Sequence, residues 1–365
     1  MLTALFCKLK FSHTHSSPSA SSSHMRAVFF SGIVFLLICV SHVNAQVSFL
    51  GTQGTFTIDT DSLTMSGPNG FLFNGTDDNG VASYVFDDFR LFPSANIVTT
   101  GSRPTALVSR TDLQLSGTIT VQSGSDVYGE GDDAVGSGGG GGGYGGVGGN
   151  GHDANGGSGG GVYGDLTSEL LGGSAGGSTS GFFGSSSGGF GGGAIRLQAA
   201  GQMEIFGSIS ANGGNGGNIG YGGGGGSGGA IIISAQEVIL AASLSANGGR
   251  GGVGEFDNGG GGGGGRIFIE TPQDGLDNFG TVSAAAGRGG SSFFGRGSDG
   301  EEGVVIFSPA LKGDVNLSGT PDFDDIGSFI AALQSGEFQA EADCDCNTVI
   351  DFADIAPFIA ILSQQ

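Results

Sequence analysis

The sequence predicts a mainly β protein: a parallel β-helix or solenoid with glycine-rich loops, followed by a small α-helical module at the C-terminal end. Three copies of one phrase, at 191–217, 228–252 and 264–290, start their apolar runs at a constant spacing of 36 residues. A fixed period of that size is typical of stacked structural units. Inside each copy, apolar residues alternate with small or polar ones, which is the pattern of strands that bury one face.

A single copy has too little sequence to bury its own apolar face, and this explains why the unit repeats. Parallel stacking of two or three short strands per copy, about 4.8 Å apart, brings Ile205 of one copy beside Leu240 of the next. Equivalent residues then form a continuous internal ladder. The repeats are assigned to 194–310, with the glycine-rich tracts leaving each turn at the same corner. In its style of repeat, this body resembles β-solenoid regions of secreted bacterial surface proteins.

Residues 1–45 form a predicted leader. A basic start at Met25, an apolar run of 14 residues and a small-residue ending at Ala45 predict a signal peptide over 25–45. A transmembrane anchor, the alternative, needs about 20 apolar residues. We therefore expect a secreted protein, extracellular or at the cell surface and without a membrane span in its mature form. Translation starts at Met1 or at Met25.

The composition excludes several classes of partner and of catalyst. The chain has 34 Asp and Glu against 12 Lys and Arg, and three of those basic residues lie in the leader. Nucleic acid and anionic membranes are poor partners for such a chain. Beyond the leader, His152, Cys344 and Cys346 are the remaining His and Cys residues. Ser/His/Asp catalysis, a zinc site and a Cys nucleophile each need more such residues.

Two segments precede the repeats. Residues 46–126 are predicted to be an N-terminal β cap and a first coil, because Leu115 matches Ile205 within a stretch, 107–117, that resembles the repeats. The glycine-rich segment 127–193 follows. Because Gly loses the most backbone entropy on ordering, one interpretation is a flexible low-complexity insertion. The other is that glycine tracts pack side by side as extended threefold helices, where only Gly allows such close approach.

Adjacent carboxylates are the candidates for acid/base work on a sugar, as in polysaccharide-acting enzymes built on β-helices. They are Asp77-Asp78, Asp87-Asp88 and Asp132-Asp133. Because neighbours in a strand point to opposite faces, the other interpretation is that they are solvated turn residues. Phosphate-binding loops are excluded, since no GxGxxG string follows a strand and opens a helix. The sequence has no Trp for stacking on a sugar, although Tyr and Phe can substitute.

Residues 311–365 contain a duplicated pattern of oxygen side chains. Asp314 begins a stretch with oxygen ligands at positions 1, 3, 5, 9 and 12 and Gly319 at position 6, as in a calcium-binding loop. Asp343 begins a second stretch 29 residues later. Apolar residues with the spacing of one helix face follow each stretch. They are Phe323, Ile326, Ile330 and Leu333, then Phe352, Ile355, Ile359 and Leu362.

This duplicated loop and helix, with Asp rather than Glu at position 12, resembles the type I dockerin module of secreted bacterial proteins. The resemblance covers 313–363 and implies two calcium ions and docking onto a cohesin-like receptor. It gives the first ion Asp314, Asn316, Ser318, Asp322 and Asp325, with the backbone carbonyl of Thr320. It gives the second Asp343, Asp345, Asn347, Asp351 and Asp354, with the carbonyl of Val349.

The sequence departs from the family pattern at two places. Thr348 replaces the turn Gly, and a β-branched residue disfavours positive φ, so we expect the second site to be weaker. Phe323-Asp324 and Phe352-Ala353 stand where the family usually has a Ser/Thr pair for receptor recognition. Cys344 and Cys346 lie between ligand positions, and we expect a local or intermolecular disulfide rather than a metal site.

These patterns predict a secreted, non-enzymatic structural or adhesive protein that a dockerin-like module tethers to a cell-surface assembly or scaffold. One alternative is an extracellular protein that binds or degrades polysaccharide on the same β-helix; as an enzyme it is a glycoside hydrolase or polysaccharide lyase. A cluster of carboxylates facing a groove distinguishes this alternative. Another is a self-associating matrix protein with the glycine tracts as its contacts.

Overall fold

A computed structural model describes residues 48–122, 124, 129–164, 170–272, 275–293, 295–310, 312–316, 321–335, 339, 341–344 and 350–363. The predicted leader lies outside these residues. Within them the protein is mainly β, with long parallel sheets and a small helical part at the C-terminal end.

The described strands are short, as expected for alternating runs separated by turns. They are β1 (Phe49–Gly51), β2 (Gly54–Asp59), β3 (Thr64–Ser66), β4 (Leu72–Asn74), β5 (Thr76–Asp78), β6 (Val81–Phe86), β7 (Phe89–Leu91), β8 (Ala95–Thr100), β9 (Thr105–Ser109), β10 (Leu113–Leu115), β11 (Thr118–Val121), β12 (Ala134–Val135), β13 (Thr179–Ser180), β14 (Ala194–Ala199), β15 (Gln202–Ile205), β16 (Ser208–Ser210), β17 (Ala230–Ser234), β18 (Glu237–Leu240), β19 (Ser243–Ser245), β20 (Arg266–Pro272), β21 (Leu276–Asn278), β22 (Thr281–Ser283), β23 (Ser291–Ser292), β24 (Gly295–Arg296) and β25 (Val304–Ala310). The α-helices are α1 (Ile326–Ser335) and α2 (Ile355–Leu362), and 3-10 turns lie at Pro68–Gly70 and Phe323–Asp325.

Three large sheets contain most of these strands. The six-stranded sheet has the order β1-β7-β10-β15-β18-β21, and the seven-stranded sheet has the order β25-β20-β17-β14-β9-β6-β5. The eight-stranded sheet has the order β22-β19-β16-β11-β8-β2-β3-β4. Neighbours are parallel except in β2-β3-β4 and β5-β6, which are antiparallel. From β6 to β22 the chain repeatedly visits the seven-, six- and eight-stranded sheets in that order.

The repeat in the sequence sets the pairing register. Ala194 pairs with Ala230, and Ala230 pairs with Arg266, so the 36-residue spacing is confirmed as the step from β14 to β17 and from β17 to β20. Ile205 pairs with Leu115 on one side and with Leu240 on the other. All three side chains are buried, which confirms the predicted ladder. Apolar residues from the three sheets meet in one continuous core.

Parallel pairing begins earlier than the sequence predicts. The stretch 107–117 is not the first to pair in parallel, because β10 pairs with β7 and β7 with β1. Phe49 pairs with Phe89, and Ala82 pairs with Thr105. The spacing between partners therefore varies in this part of the chain, and no fixed period reveals it.

Of the two interpretations of 127–193, the described part of that segment does not fit a flexible insertion. Tyr144 and Leu170 pack with Ile232 and Phe268 against the outer face of the seven-stranded sheet. Tyr144 is wholly buried. Because the segment covers this face, β17 is buried on both sides.

The glycine tracts lie side by side and are joined by backbone hydrogen bonds at every third residue. The bonds run from the nitrogens of Gly139, Gly142, Gly260 and Gly263 to the oxygens of Gly222, Gly225, Gly139 and Gly142, at 2.8 to 3.0 Å. A Cβ on Gly141 would collide with the backbone oxygen of Gly261. The described tracts therefore pack as the second interpretation expects, at separations that only Gly allows. Residues 138–146 are buried, so they do not offer a contact surface to another copy.

Candidate functional site

The first predicted calcium loop ends at the 3-10 turn that leads into α1. Its last predicted ligand, Asp325, is wholly buried. Asp325 Oδ1 accepts a hydrogen bond from the backbone nitrogen of Asn316 at 2.8 Å, and Oδ2 accepts one from that of Asp322 at 2.7 Å. Asp322 caps the turn by accepting from the backbone nitrogen of Asp324 at 2.8 Å. Asp314, the first ligand, is also buried. These bonds hold the end of the loop against its beginning.

The second predicted loop repeats this arrangement at its end. Asp354 is wholly buried and accepts a hydrogen bond from the backbone nitrogen of Asp351 at 2.9 Å. Asp351 accepts one from the backbone nitrogen of Ala353 at 2.6 Å. These contacts correspond to those of Asp325 and Asp322, so the repeat in the sequence is also a repeat in geometry.

Asp343, the first ligand of the second loop, has additional contacts. It is wholly buried. Its carboxylate accepts a hydrogen bond at 2.8 Å from Nε2 of Gln236, which lies between β17 and β18. Nζ of Lys312 lies 3.8 Å from the same oxygen. Asp343 therefore links the C-terminal part to the sheets as well as starting the loop.

The other predicted ligands lie outside the described residues. They are Ser318, Thr320, Asp345, Asn347 and Val349. Thr348 and Cys346, which bear on the strength of the second site and on the predicted disulfide, lie outside them too. Cys344 Sγ donates to the backbone oxygen of Glu341 at 3.4 Å.

The charge and donor chemistry of this region suit calcium. Residues 311–365 contain ten Asp and Glu but one basic residue, Lys312. Four of the predicted ligands, Asp314, Asp325, Asp343 and Asp354, are at most 4% exposed. Burial of charged carboxylates is costly unless positive charge or hydrogen bonds compensate for it. Calcium binds oxygen ligands, and the side chains of the described ligands offer oxygen donors.

An apolar surface recurs at equivalent positions of the two helices. We call these residues the apolar helix surface: Phe323 (72% exposed), Ile330 (47%), Phe352 (83%) and Ile359 (58%). Their spacing predicts one face of each helix, but these four side chains are exposed and do not pack into the core. The rings of Phe329 and Phe358 stack at 4.0 Å and fill the core instead. Of the other predicted residues, Ile326 is exposed, Leu333 and Ile355 are half-buried and Leu362 is buried.

A buried carboxyl pair joins the C-terminal part to β20, and no sequence pattern indicates it. Glu341 is 1% exposed and Glu270 is 6% exposed. Ser234 Oγ donates to Glu270 Oε2 at 3.0 Å. Neither oxygen of Glu341 meets a donor group of the described residues. Burial, and then the facing Glu270 carboxyl, raise the pKa of Glu341 to about 10.

The adjacent carboxylates lie in turns and short edge strands and make ion pairs and hydrogen bonds there. The ion pairs are Asp77 with Arg103 at 3.0 Å, Asp87 with Arg110 at 3.2 Å and Asp88 with Arg90 at 2.9 Å. Asp133 accepts a hydrogen bond from the backbone nitrogen of Ser178 at 2.6 Å. These contacts favour the interpretation of solvated turn residues over acid/base chemistry.

A polar groove lies over the six-stranded sheet. Its polar lining consists of Asp88, Arg90, Asp112, Gln114, Gln202 and Glu204. Asp112 accepts a hydrogen bond from the backbone nitrogen of Gln202 at 2.9 Å, and Glu204 accepts one from Gln114 Nε2 at 2.9 Å. The groove thus has three carboxylates, each of which binds a neighbouring side chain or backbone group.

A cluster of exposed aromatic rings lies among the glycine-rich tracts, and we call it the aromatic patch. Phe183 and Phe256 stack with their ring centroids 4.0 Å apart. Phe182 contacts Phe183 edge-on at 5.3 Å, and Tyr221 lies 6.0 Å from Phe256. Phe182 is 94% exposed. The sequence contains these residues without any periodicity that would group them, because their contact depends on the packing of the tracts.

Comparison with known proteins gives no family. No protein-family model matches the chain, and no curated protein or solved structure matches it. In the part of the chain that the structure describes, no helix is both long enough and apolar enough to cross a membrane.

Proposed function

We propose that the protein is a secreted, acidic, non-enzymatic protein that a calcium-dependent, dockerin-like module tethers to a cell-surface assembly or larger scaffold. In this proposal the body is a parallel β-solenoid. The constant order in which the chain visits the three sheets supports this, because each visit pairs in parallel with the next. The predicted signal peptide supports secretion.

The apolar helix surface is the observation that carries the tether. Large apolar side chains that are exposed at equivalent positions in two halves of a module are candidates for docking, because helix faces are common docking elements. Phe323 and Phe352 occupy equivalent positions in the two halves, as do Ile330 and Ile359. Two equivalent surfaces in one small module suit a protein receptor, which we place in the cohesin-like class.

Calcium is the cation that this proposal requires. When bound, it would supply the positive charge that a strongly acidic region needs and would fix the ends of the two loops. Asp325 and Asp354 would hold it at the helix starts, and Asp314 would hold it at the beginning of the first loop. Because the helix pair has a small core, calcium binding should add directly to its folding free energy.

Calcium titration calorimetry on the full chain tests the metal site. We expect two ions to bind in the micromolar to millimolar range, and we expect the helix signal in circular dichroism to fall on chelation. The double variant Asp325→Asn, Asp354→Asn should lose both ions. Absence of heat and of any spectral response to calcium would refute the calcium site and the tether that depends on it.

Receptor binding tests the apolar helix surface separately. A panel of purified cohesin modules is passed over the immobilised full chain in calcium and then in chelator. We expect binding in calcium only, and we expect Phe323→Ser with Phe352→Ser to abolish it while calcium uptake persists. Phe293→Ser, at a 98% exposed position that precedes the C-terminal module, is the control. Binding that survives the double variant would exclude this surface.

A second candidate function, binding of extracellular polysaccharide, is favoured by the aromatic patch. Stacked, exposed rings offer apolar faces to sugar rings, and the groove adds polar groups elsewhere on the body. A glycan array on the full chain, with Phe183→Ser and Phe256→Ser as variants, tests this binding. Hydrolysis assays on any glycan that binds would detect enzymatic activity. If the chain retains no glycan, or if the variants retain a glycan as well as the parent does, this candidate function is excluded.

A further inference from the structure

Three metal-ligating side chains meet where two glycine-rich tracts lie together. His152 Nδ1 contacts Asp257 Oδ1 directly. The carboxylate of Asp153 completes the group, and one ligand atom from each residue lies within 4.8 Å of the other two. Composition shows that His152 is the one histidine after the predicted leader, and it does not indicate any partner for this side chain. The structure supplies its partners from a neighbouring residue and from a tract far along the chain.

The surrounding chain holds these side chains in place. The backbone nitrogen of His152 donates to the backbone oxygen of Asn258 at 2.8 Å. Ser137 Oγ lies 3.0 Å from Asp257 Oδ2 and 2.8 Å from the backbone oxygen of His152. The imidazole fills the space where Gly295 has no Cβ, because a Cβ there would collide with the ring. The group is therefore fixed by contacts from several segments.

The group is open on one side and buried on the other. Asp257 is 5% exposed, whereas the His152 side chain is 31% exposed and Asp153 is exposed. A metal ion can therefore enter from solvent and still meet a buried carboxylate. The backbone nitrogen of Asn155 donates to Asp153 Oδ1 at 2.6 Å and orients that carboxylate.

The residue that follows Asp257 is fixed by a third segment of the chain. Asn258 is wholly buried, and its Nδ2 donates to Ser292 Oγ and to the backbone oxygen of Gly295, both at 2.9 Å. Its Oδ1 is buried and meets no hydrogen-bond donor of the described residues.

The arrangement does not suit nucleophilic catalysis. In a Ser/His/Asp triad the hydroxyl bonds to the imidazole, and the carboxylate bonds to the other side of the ring. Here Ser137 Oγ is wholly buried and lies against the carboxylate of Asp257 and the backbone of His152. A donor set of one imidazole nitrogen and two carboxylates matches zinc and similar transition metals, whereas calcium prefers oxygen ligands alone.

We propose that His152, Asp153 and Asp257 bind one divalent transition-metal ion of the zinc class. His152 Nδ1 and one oxygen of each carboxylate are the protein ligands, and water completes the coordination. The ion fastens the tract around residue 152 to the tract around residue 257, so its role is to stabilise the packed glycine layer. This site is independent of the calcium loops.

Zinc titration calorimetry on the full chain tests the site. The chain carries Asp325→Asn and Asp354→Asn so that the C-terminal loops do not contribute. We expect one equivalent of zinc to bind and to raise the melting temperature, and we expect excess calcium not to displace it. His152→Gln, which keeps a donor to Asp257 but is a poor zinc ligand, should weaken binding by about 100-fold or more. Asp257→Asn should do the same.

The control is Asp133→Asn, an exposed carboxylate on the same glycine-rich segment, which should bind zinc as the parent does. Cobalt substitution gives a second readout, because the visible spectrum of bound cobalt should disappear in His152→Gln. Zinc uptake that is absent, or equal in His152→Gln and its parent, would overturn the proposal. A lower melting temperature in the variants without any zinc response in the parent would also overturn it. That result would indicate that His152 and Asp257 stabilise the layer by their hydrogen bond alone.

Discussion

Glu341 is an acidic side chain in a place that favours its neutral form. It is buried against Glu270 of β20, and its pKa is raised to about 10. In the unfolded chain it ionises near its ordinary pKa of about 4.3. Between these two values the unfolded state releases a proton that the folded state keeps, so the folded state loses relative stability as pH rises.

We therefore expect Glu341→Gln to be more stable than the parent at neutral and alkaline pH. The difference in unfolding free energy should be small near pH 4 and grow by at most about 1.4 kcal/mol per pH unit. Denaturant unfolding in calcium-free buffer, from about pH 5 to about pH 9, measures it. Glu302→Gln, at an exposed position, should show no such trend. A difference that shrinks as pH rises would contradict the assignment.

At the scale of the element, the strands of the repeat follow from the sequence because they alternate. Leu240 points into the core and Ile239, its neighbour in β18, points outward. Leu240→Asp places a charge without a partner in the core, and we expect a loss of at least about 3 kcal/mol of unfolding free energy. Thermal and denaturant unfolding measure the loss.

Ile239→Asp is the matched control, because it introduces the same charge one residue away on the half-buried outer face. It should cost clearly less than Leu240→Asp. Equal costs for the two variants would contradict the inward and outward alternation of β18.

The helices show where such patterns stop being informative. Their existence follows from apolar residues at helical spacing after each acidic loop. Which face of each helix is buried does not follow from the sequence, because Phe329 and Phe358 are compatible with helical spacing just as Phe323 and Phe352 are. The stacked pair Phe329–Phe358 decides which face is buried, and that contact joins two segments of the chain. The same reason hides the Glu270–Glu341 pair, which no local pattern predicts.

At the scale of the whole molecule, the glycine layer joins distant segments through backbone contacts. Gly141 lies against the backbone of Gly261, and a Cβ there would collide with it. We expect Gly141→Ala to destabilise the full chain by about 1–3 kcal/mol. Gly161→Ala is the matched control, since it lies in the same segment with open space around it. It should change stability by less than about 1 kcal/mol.

Thermal unfolding of the two alanine variants separates an ordered layer from a loose loop. If the segment were a loose loop, Gly141→Ala would change the stability of the chain as little as Gly161→Ala does. Composition alone favours that outcome for 127–193, because it registers the entropy that Gly loses on ordering and not the hydrogen bonds between tracts. Those bonds depend on residues that the sequence places far apart, such as Gly139 and Gly260.

The hydrogen bonds of Gly139 also constrain the order in which the chain becomes native. Its oxygen accepts from Gly260, and its nitrogen donates to Gly222. A chain that leaves the ribosome with its N-terminal end first exposes the tract at 138–143 long before either partner exists. The three sheets can add strands one after another as the chain emerges. The glycine layer cannot close until the tract around Gly260 has emerged. Closure of that layer is therefore a late, non-local event of the kind that slows folding.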